Sequence, residues 1–393
     1  MSFQVQQTNH IPKMRRTKIA RALLLSVSLF SFVSFTHSPE ATAAKVAAPA
    51  AAPATAATTA PAPTAAASAT ALAAAAFILP ESGPLTKQAV SRLLITDATR
   101  FGNRIVAVAD RGYIIFSDSN GETWSRAKSP AAPLLTSVFF IDAKIGWAVG
   151  HDLVVLQTTD GGDNWTKQHS KPDENKPFLD VYFNDASNGF AVGAYGAFYE
   201  TVDGGKAWTL RKLGESDKHL NSIFKVAENK LLIVGEAGTV MLSEDAGKTW
   251  VPIEPPYKGS YFGGIVADDG AVIIYGLRGR IFRSADQGKT WAAVENTIPN
   301  SLMGSTKLPN GKIALVGLSG TVLVSSDNGK TFESVKSGST KAYSAAIVGA
   351  PSALLLLGEA GARDITFAAS GTSVTSVPAV AAPAAGATPA KAK

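Results

Sequence analysis

Three Gly-Lys-Thr triplets, at 247–249, 288–290 and 329–331, come nearest to phosphate-binding chemistry in this chain. A phosphate-binding loop also needs a glycine five residues before the one that precedes its lysine, so that successive amides cradle the anion. Those places hold Leu242, Arg283 and Val324, so the triplets read as turns. Histidine offers little more. Beyond the first 43 residues only His151, His169 and His219 remain, without the H-x-x-x-H or H-E-x-x-H spacing of a zinc site. There is no G-x-S-x-G elbow, and with no cysteine in the chain, thiol catalysis, cysteine-held zinc and iron–sulfur clusters are excluded. Aspartate is the side chain that recurs at fixed spacing: Asp160, Asp203, Asp245, Asp286 and Asp327. Single carboxylates are poor calcium sites, whereas one carboxylate suffices to accept backbone N–H bonds across a turn. No catalytic residue, metal or cofactor is therefore expected.

The elements that carry these aspartates are copies of one unit. Each aspartate is followed by an aromatic, giving Trp165, Trp208, Trp250, Trp291 and Phe332, with Trp124 one step earlier; the steps are 41, 43, 42, 41 and 41 residues. A near-constant period of this size marks a supersecondary repeat. A second marker runs in phase, a hairpin of form G-x-x-G opened by Gly150, Gly193, Gly235, Gly276, Gly317 and Gly358, with Ala109 at the first node. The interval from node to aromatic is 15 residues in all six units that carry the aromatic, as a rigid block of paired strands predicts. Within a unit, short Val/Ile/Phe-rich runs alternate with Gly, Asp and Asn, the signature of strands; LTSVFFI, GWAVG, LVVLQTT and NWTKQ make four in the second unit. One such sheet cannot bury both faces alone, and stacking sheets radially solves that. The expected fold is all-β, a seven-bladed β-propeller of four-stranded blades over residues 80–377.

In each turn the glycine two residues after the aspartate (Gly162, Gly205, Gly247, Gly288, Gly329) is expected at positive φ, and the aromatic is expected to wedge beside the neighbouring sheet. The first unit departs from the pattern with Ser119 in the aspartate place. The seventh has Ala368 and Ser373 at the aspartate and tryptophan nodes. Ring closure by an added strand at Phe77-Ile78-Leu79 beside the seventh unit is one expectation.

Residues 1–43 read as a signal peptide: Lys13, Arg15, Arg16, Lys18 and Arg21 precede an apolar run from Ala22 to Phe35, then Ala41-Thr42-Ala43 offers a small-residue cleavage site. Residues 44–79 form an Ala/Pro-rich linker and 378–393 a similar tail, both too poor in core-forming residues to fold. The formal charge of +6 falls to +2 once the leader is removed, with 32 basic residues against 30 acidic. That balance argues against a nucleic-acid partner, which needs a concentrated basic face. An exported, periplasmic monomer is expected.

The S-x-D-x-G-x-T-W turns are Asp-boxes, or BNR repeats. With Asp-boxes repeated from unit to unit and a V-G-x-x-G hairpin in phase, as in VGEAGTVMLSEDAGKTW at 234–250, the chain resembles the photosystem II assembly/stability factor family and its relatives in non-photosynthetic bacteria. The resemblance covers 86–377. It implies a propeller without catalytic activity, acting as a scaffold for membrane-protein assembly. It implies photosystem II reaction-centre components as partners, in the thylakoid lumen, if the host is phototrophic, and exporters of the resistance-nodulation-division (RND) type otherwise. A sialidase-like, carbohydrate-active propeller is the rival, since sialidases share the Asp-box. Their active site, however, needs an arginine triad, a Tyr/Glu nucleophile pair and an acid, and the F/Y-R-I-P stretch that brings the first arginine is missing. A surface adhesin would also suit the spacer. On the scaffold reading the partner meets the variable hairpin tips, where Arg111, His151, Tyr195, Arg278 and Arg280, with Arg283 nearby, are the expected contacts.

Overall fold

The computed structural model describes residues 78–130, 133–214, 217–349, 353–367 and 374–376. The expected leader, the tail, all of the linker except its last two residues, and the nodes Ala368 and Ser373 lie outside them. The described chain forms seven antiparallel sheets, six of four strands and one of five. Within each four-stranded sheet the strands pair in chain order, and so do the four repeat strands of the five-stranded one, so each repeat is one blade. The innermost strands are Ile95–Phe101, Leu135–Phe140, Phe178–Phe183, Leu220–Ala227, Tyr261–Val266, Leu302–Lys307 and Tyr343–Val348, defining blades 1 to 7.

The second strand of each blade is buried along nearly its whole length; Gly146–Gly150 and Ile313–Gly317 are examples. Buried on both faces, these strands read as continuous Val/Ile/Leu runs and not as alternations. Outer strands are short and exposed, as at Thr209–Leu210 and Val251–Pro252, and short edges leave little for another chain to pair with.

The apolar clusters lie between blades. Trp165 packs with Val106, Val108 and Ile114 of blade 1 and Val138 and Leu156 of blade 2. Trp208 joins Val149 and Val155 of blade 2 to Phe178 and Phe183 of blade 3. Trp250, Trp291 and Phe332 do the same at the next three seams. The indole N–H groups of Trp124, Trp165, Trp208 and Trp250 donate to the carbonyls of Gly121, Gly162, Gly205 and Gly247, so each ring folds back over its own turn. The sixth tryptophan, Trp147, stacks on Phe183 at 3.5 Å and donates to the Gly204 carbonyl of the next blade.

A β-bulge near the start of the inner strand recurs in all seven blades, between Ile95 and Asp97 in the first and between Tyr343 and Ala345 in the last. It frees the intervening side chain to stitch neighbouring blades. Thr96 donates to the Leu135 carbonyl at 2.7 Å, Thr136 to that of Phe178 at 2.8 Å and Asn221 to that of Tyr261 at 2.7 Å.

Ring closure differs from expectation. Ile78 is exposed and Leu79 buried, neither in a strand, and Phe77 lies outside the described residues. The added strand is Gly83–Leu85, and it pairs with Trp124–Arg126 on the outside of blade 1. Blade 7 is built from the chain's own strands, with Val374–Ser376 outermost. The last seam closes sideways: Ser344 Oγ donates to the Ile95 carbonyl at 2.6 Å and Arg100 Nη1 to the carbonyls of Val348 and Gly349 at 2.7 and 2.9 Å. Side-chain stitches do here what a shared strand was expected to do.

Candidate partner-binding face

The propeller presents two chemically different ends. At one end stand the aspartate turns between third and fourth strands; at the other stand the hairpins between second and third strands and the links from blade to blade.

Each aspartate turn is a closed hydrogen-bond unit. Asp286 Oδ1 accepts the Thr290 amide at 2.8 Å and Asp286 Oδ2 the Thr290 hydroxyl at 2.6 Å. A hydroxyl two residues earlier completes it: Ser284 Oγ donates to Asp286 at 2.7 Å and accepts the Gly288 amide at 2.8 Å. Thr158, Thr201, Ser243 and Ser325 act likewise toward Asp160, Asp203, Asp245 and Asp327. These bonds hold the carboxyls of Asp245, Asp286 and Asp327 down at about 2. In the first turn Ser119 Oγ accepts the Thr123 amide at 2.8 Å, so a hydroxyl takes the carboxylate's place. The expected positive φ is found at Gly162, Gly205, Gly247, Gly288 and Gly329; the residue before each is also left-handed, Gln287 at 61° for example. Polar side chains of the preceding blade grip these turns: Arg104 donates to the Gly161 carbonyl at 3.1 Å and Asn184 to that of Ala246 at 2.9 Å. Arg283 belongs to this end. It holds Asp269 and donates to the Asn328 carbonyl at 2.9 Å, which removes it from the expected basic patch.

The hairpins share one geometry. The node glycine is extended and abuts the link entering its own blade; a Cβ at Gly235 would overlap the His219 carbonyl oxygen, and Gly150, Gly193, Gly276, Gly317 and Gly358 meet the equivalent carbonyls. The first tip residue folds inward. Where it is acidic it caps the link: Asp110 accepts the Leu94 amide at 3.2 Å, Glu236 that of His219 at 3.2 Å, Glu359 that of Ala342 at 3.3 Å. The second tip residue is left-handed and turned outward: Arg111, Asp152, Tyr195, Ala237, Arg278 and Ser319, all with φ between 50° and 61°. Non-glycine residues adopt this conformation at a cost, so the sequence retains six of them against local preference.

The expected contacts divide accordingly. Arg111, Tyr195 and Arg278 occupy the outward place, and Tyr195 is 58% exposed, high for a large aromatic. Arg280 is exposed beside Arg278, its guanidinium 5.9 Å from the Tyr257 ring. His151 holds the inward place. It is half-buried with Nε2 sealed from solvent, and burial pulls its pKa down. The 170–176 link lies over its hairpin, with the Lys171 amide donating to the Asp152 carbonyl at 2.7 Å and the Leu153 amide to that of Lys176 at 2.9 Å. The arginines do not form one patch: Arg111 is on blade 1, Arg278 and Arg280 on blade 5. A group the sequence did not reveal lies between blades 3 and 4, where His219 meets the Tyr195 ring edge-on at 5.0 Å and lies 4.0 Å from Glu236. Its members come from a tip, a link and the next tip, and the repeat phase aligns tips only with tips. Among the described residues no His, Asp and Glu converge as a metal-holding group, and no helix is long and apolar enough to cross a membrane.

Residues 169–312 match the sequence pattern of the family described as Photosynthesis system II assembly factor YCF48. No curated protein matches the chain. Among solved structures, "YCF48 bound to D1 peptide" is similar with a TM-score of 0.57 at 20% identity, over 72% of this chain and 96% of that one. YCF48 from Cyanidioschyzon merolae has a TM-score of 0.55 at 15% identity, over 72% and 98%. A catalytically inactive virginiamycin B lyase from Staphylococcus aureus reaches 0.59 at 10% identity, over 72% and 96%, a likeness of fold alone. The repeats, the family pattern over 169–312 and the shared fold together establish the resemblance of this chain to the photosystem II assembly factor-like propellers.

Proposed function

We propose that this protein is a non-catalytic, exported scaffold whose hairpin face docks an extended, soluble segment of a membrane-protein complex. The observation that carries the reading is the tip geometry: one rigid hairpin repeated, with Arg111, Tyr195 and Arg278 displayed from the same outward backbone position. Constant scaffolding with varied tips is how a repeat protein builds a binding surface. The solved relative described as bound to a D1 peptide supports a peptide-like ligand. In a phototrophic host the partner is then a photosystem II reaction-centre component, in the thylakoid lumen; in another host it is an exporter of the RND type, in the periplasm.

Capture from detergent-solubilised membranes of the native host tests this. The wild type is expected to retain one membrane complex that Tyr195→Ala and the pair Arg278→Glu/Arg280→Glu lose, while Lys206→Glu at the aspartate-turn end keeps it. Turnover of sialosides or glucans that a hairpin-face substitution abolishes would replace the scaffold reading with the carbohydrate-active one.

A further inference from the structure

The bulged inner strands line a central channel of about 200 Å³. At the residue after each bulge, blades 1 to 4 carry Asp97, Ser137, Asp180 and Ser222, while blades 5 to 7 carry glycine or alanine. The four polar residues form a chain across three seams. Ser137 Oγ lies 2.9 Å from Asp97 Oδ2 and 2.8 Å from Asp180 Oδ1, and Ser222 Oγ donates to Asp180 Oδ2 at 2.8 Å.

A serine hydroxyl has one hydrogen and can donate it once. Its second short contact to a carboxylate oxygen needs another hydrogen, and a carboxylic acid supplies one. Asp180 accepts the amides of Val181 and Ile223 and the Ser222 hydroxyl, so its negative charge is well met. Asp97 accepts the amides of Ala98 and Val138 and no second hydroxyl, so it is the poorer anion. Among the described residues the channel lining holds no lysine, arginine or histidine. Its remaining titratable group is Tyr275, whose hydroxyl donates to Ser305 at 3.0 Å and which burial keeps neutral.

We propose that Asp97, Ser137 and Asp180 form a one-proton clasp between blades 1, 2 and 3, closed when Asp97 donates to Ser137 and Ser137 to Asp180, and opened by charge repulsion when that proton leaves. Both carboxyls touch the channel and are half-buried, and the strands packed around them withdraw them from most of the bulk water. Burial above all, opposed by the Val138 amide and reinforced by the Asp180 charge, pushes Asp97 up to about 6. Asp180 is raised for the same leading reason. Between the ordinary aspartate value and about 6 the folded chain keeps a proton that the unfolded chain has lost. Stability from this group therefore falls as pH rises through that window and levels off above it.

The test is a carbon-13 NMR pH titration of the aspartate-labelled full chain. Two carboxyl signals sharing a midpoint near pH 6 are expected, and Ser137→Ala should separate them into two unlike midpoints. Asp97→Asn should abolish that midpoint. If Asp97→Asn does not fold, Asp110→Asn and Asp364→Asn, which alter the other two carboxyls raised by burial, must leave it in place. Denaturant unfolding should show the wild type losing about thirtyfold in its folding constant between pH 4 and 6 relative to a folded Asp97→Asn. Aspartates that all titrate below about pH 5, or a midpoint near 6 that moves with Asp110 or Asp364, would overturn the proposal.

Discussion

At the residue scale, the seam tryptophans and the turn hydroxyls carry most of what a single substitution can remove. Trp208 is 9% exposed and touches two blades, so Trp208→Ala is expected to cost about 3–5 kcal/mol in denaturant unfolding. Ser284 has no exposed surface; Ser284→Ala strips the buried Gly288 amide of its acceptor and should cost about 1–3 kcal/mol. Ser284→Thr should restore most of it, because threonine fills the same place in blades 2 and 3. Each expectation fails if its own alanine variant unfolds at the wild-type denaturant midpoint. The tryptophans were legible because their spacing repeats. The hydroxyls stand in register just as regularly, but serine and threonine are so common in turns that their part emerged only from the geometry.

At the element scale, turn and hairpin each depend on backbone conformations that side chains resist. Gly235→Ala would drive a Cβ into the His219 carbonyl, and the strand cannot yield without opening the blade, so a lower melting temperature and weakened tips on blade 4 are expected. The aspartate turns bring a pH dependence of the usual sign. Their carboxyls are held below the ordinary value, so their contribution is complete above about pH 4 and is lost as pH falls toward 2. Because these groups are exposed, each loss is small, and a pH series of urea midpoints should show a shallow acid limb rather than a step. The sequence announced the glycine of each turn and its positive φ. It did not announce the left-handed residue before it, because Ala246, Gln287 and Asn328 share no side-chain character.

For the whole molecule, the period gave the blade count, and the in-phase glycines gave the strand order. Closure was not legible, since no repeat precedes the first blade or follows the seventh to show what the last seam needs. Ser344 and Arg100 supply it from within the ring. Arg100→Ala combined with Ser344→Ala should lower the melting temperature more than the pair Thr136→Ala and Asn221→Ala, which cut interior seams. Equal losses would mean that closure has no special weight. The proposed docking face was half legible. The tips were found by phase, but phase cannot tell that His151 turns inward, that Arg283 serves the opposite end, or that His219 joins Tyr195 from a link.

Site-specific photo-crosslinking in the native host tests the docking face most directly. A photoreactive residue replacing Tyr195 or Arg278 is predicted to yield one membrane-protein adduct, and the same residue replacing Lys206 or Lys289 at the aspartate-turn end is predicted to yield none. Adducts confined to positions 206 and 289, or absent from all four, would contradict the assignment of the hairpin face as the docking surface.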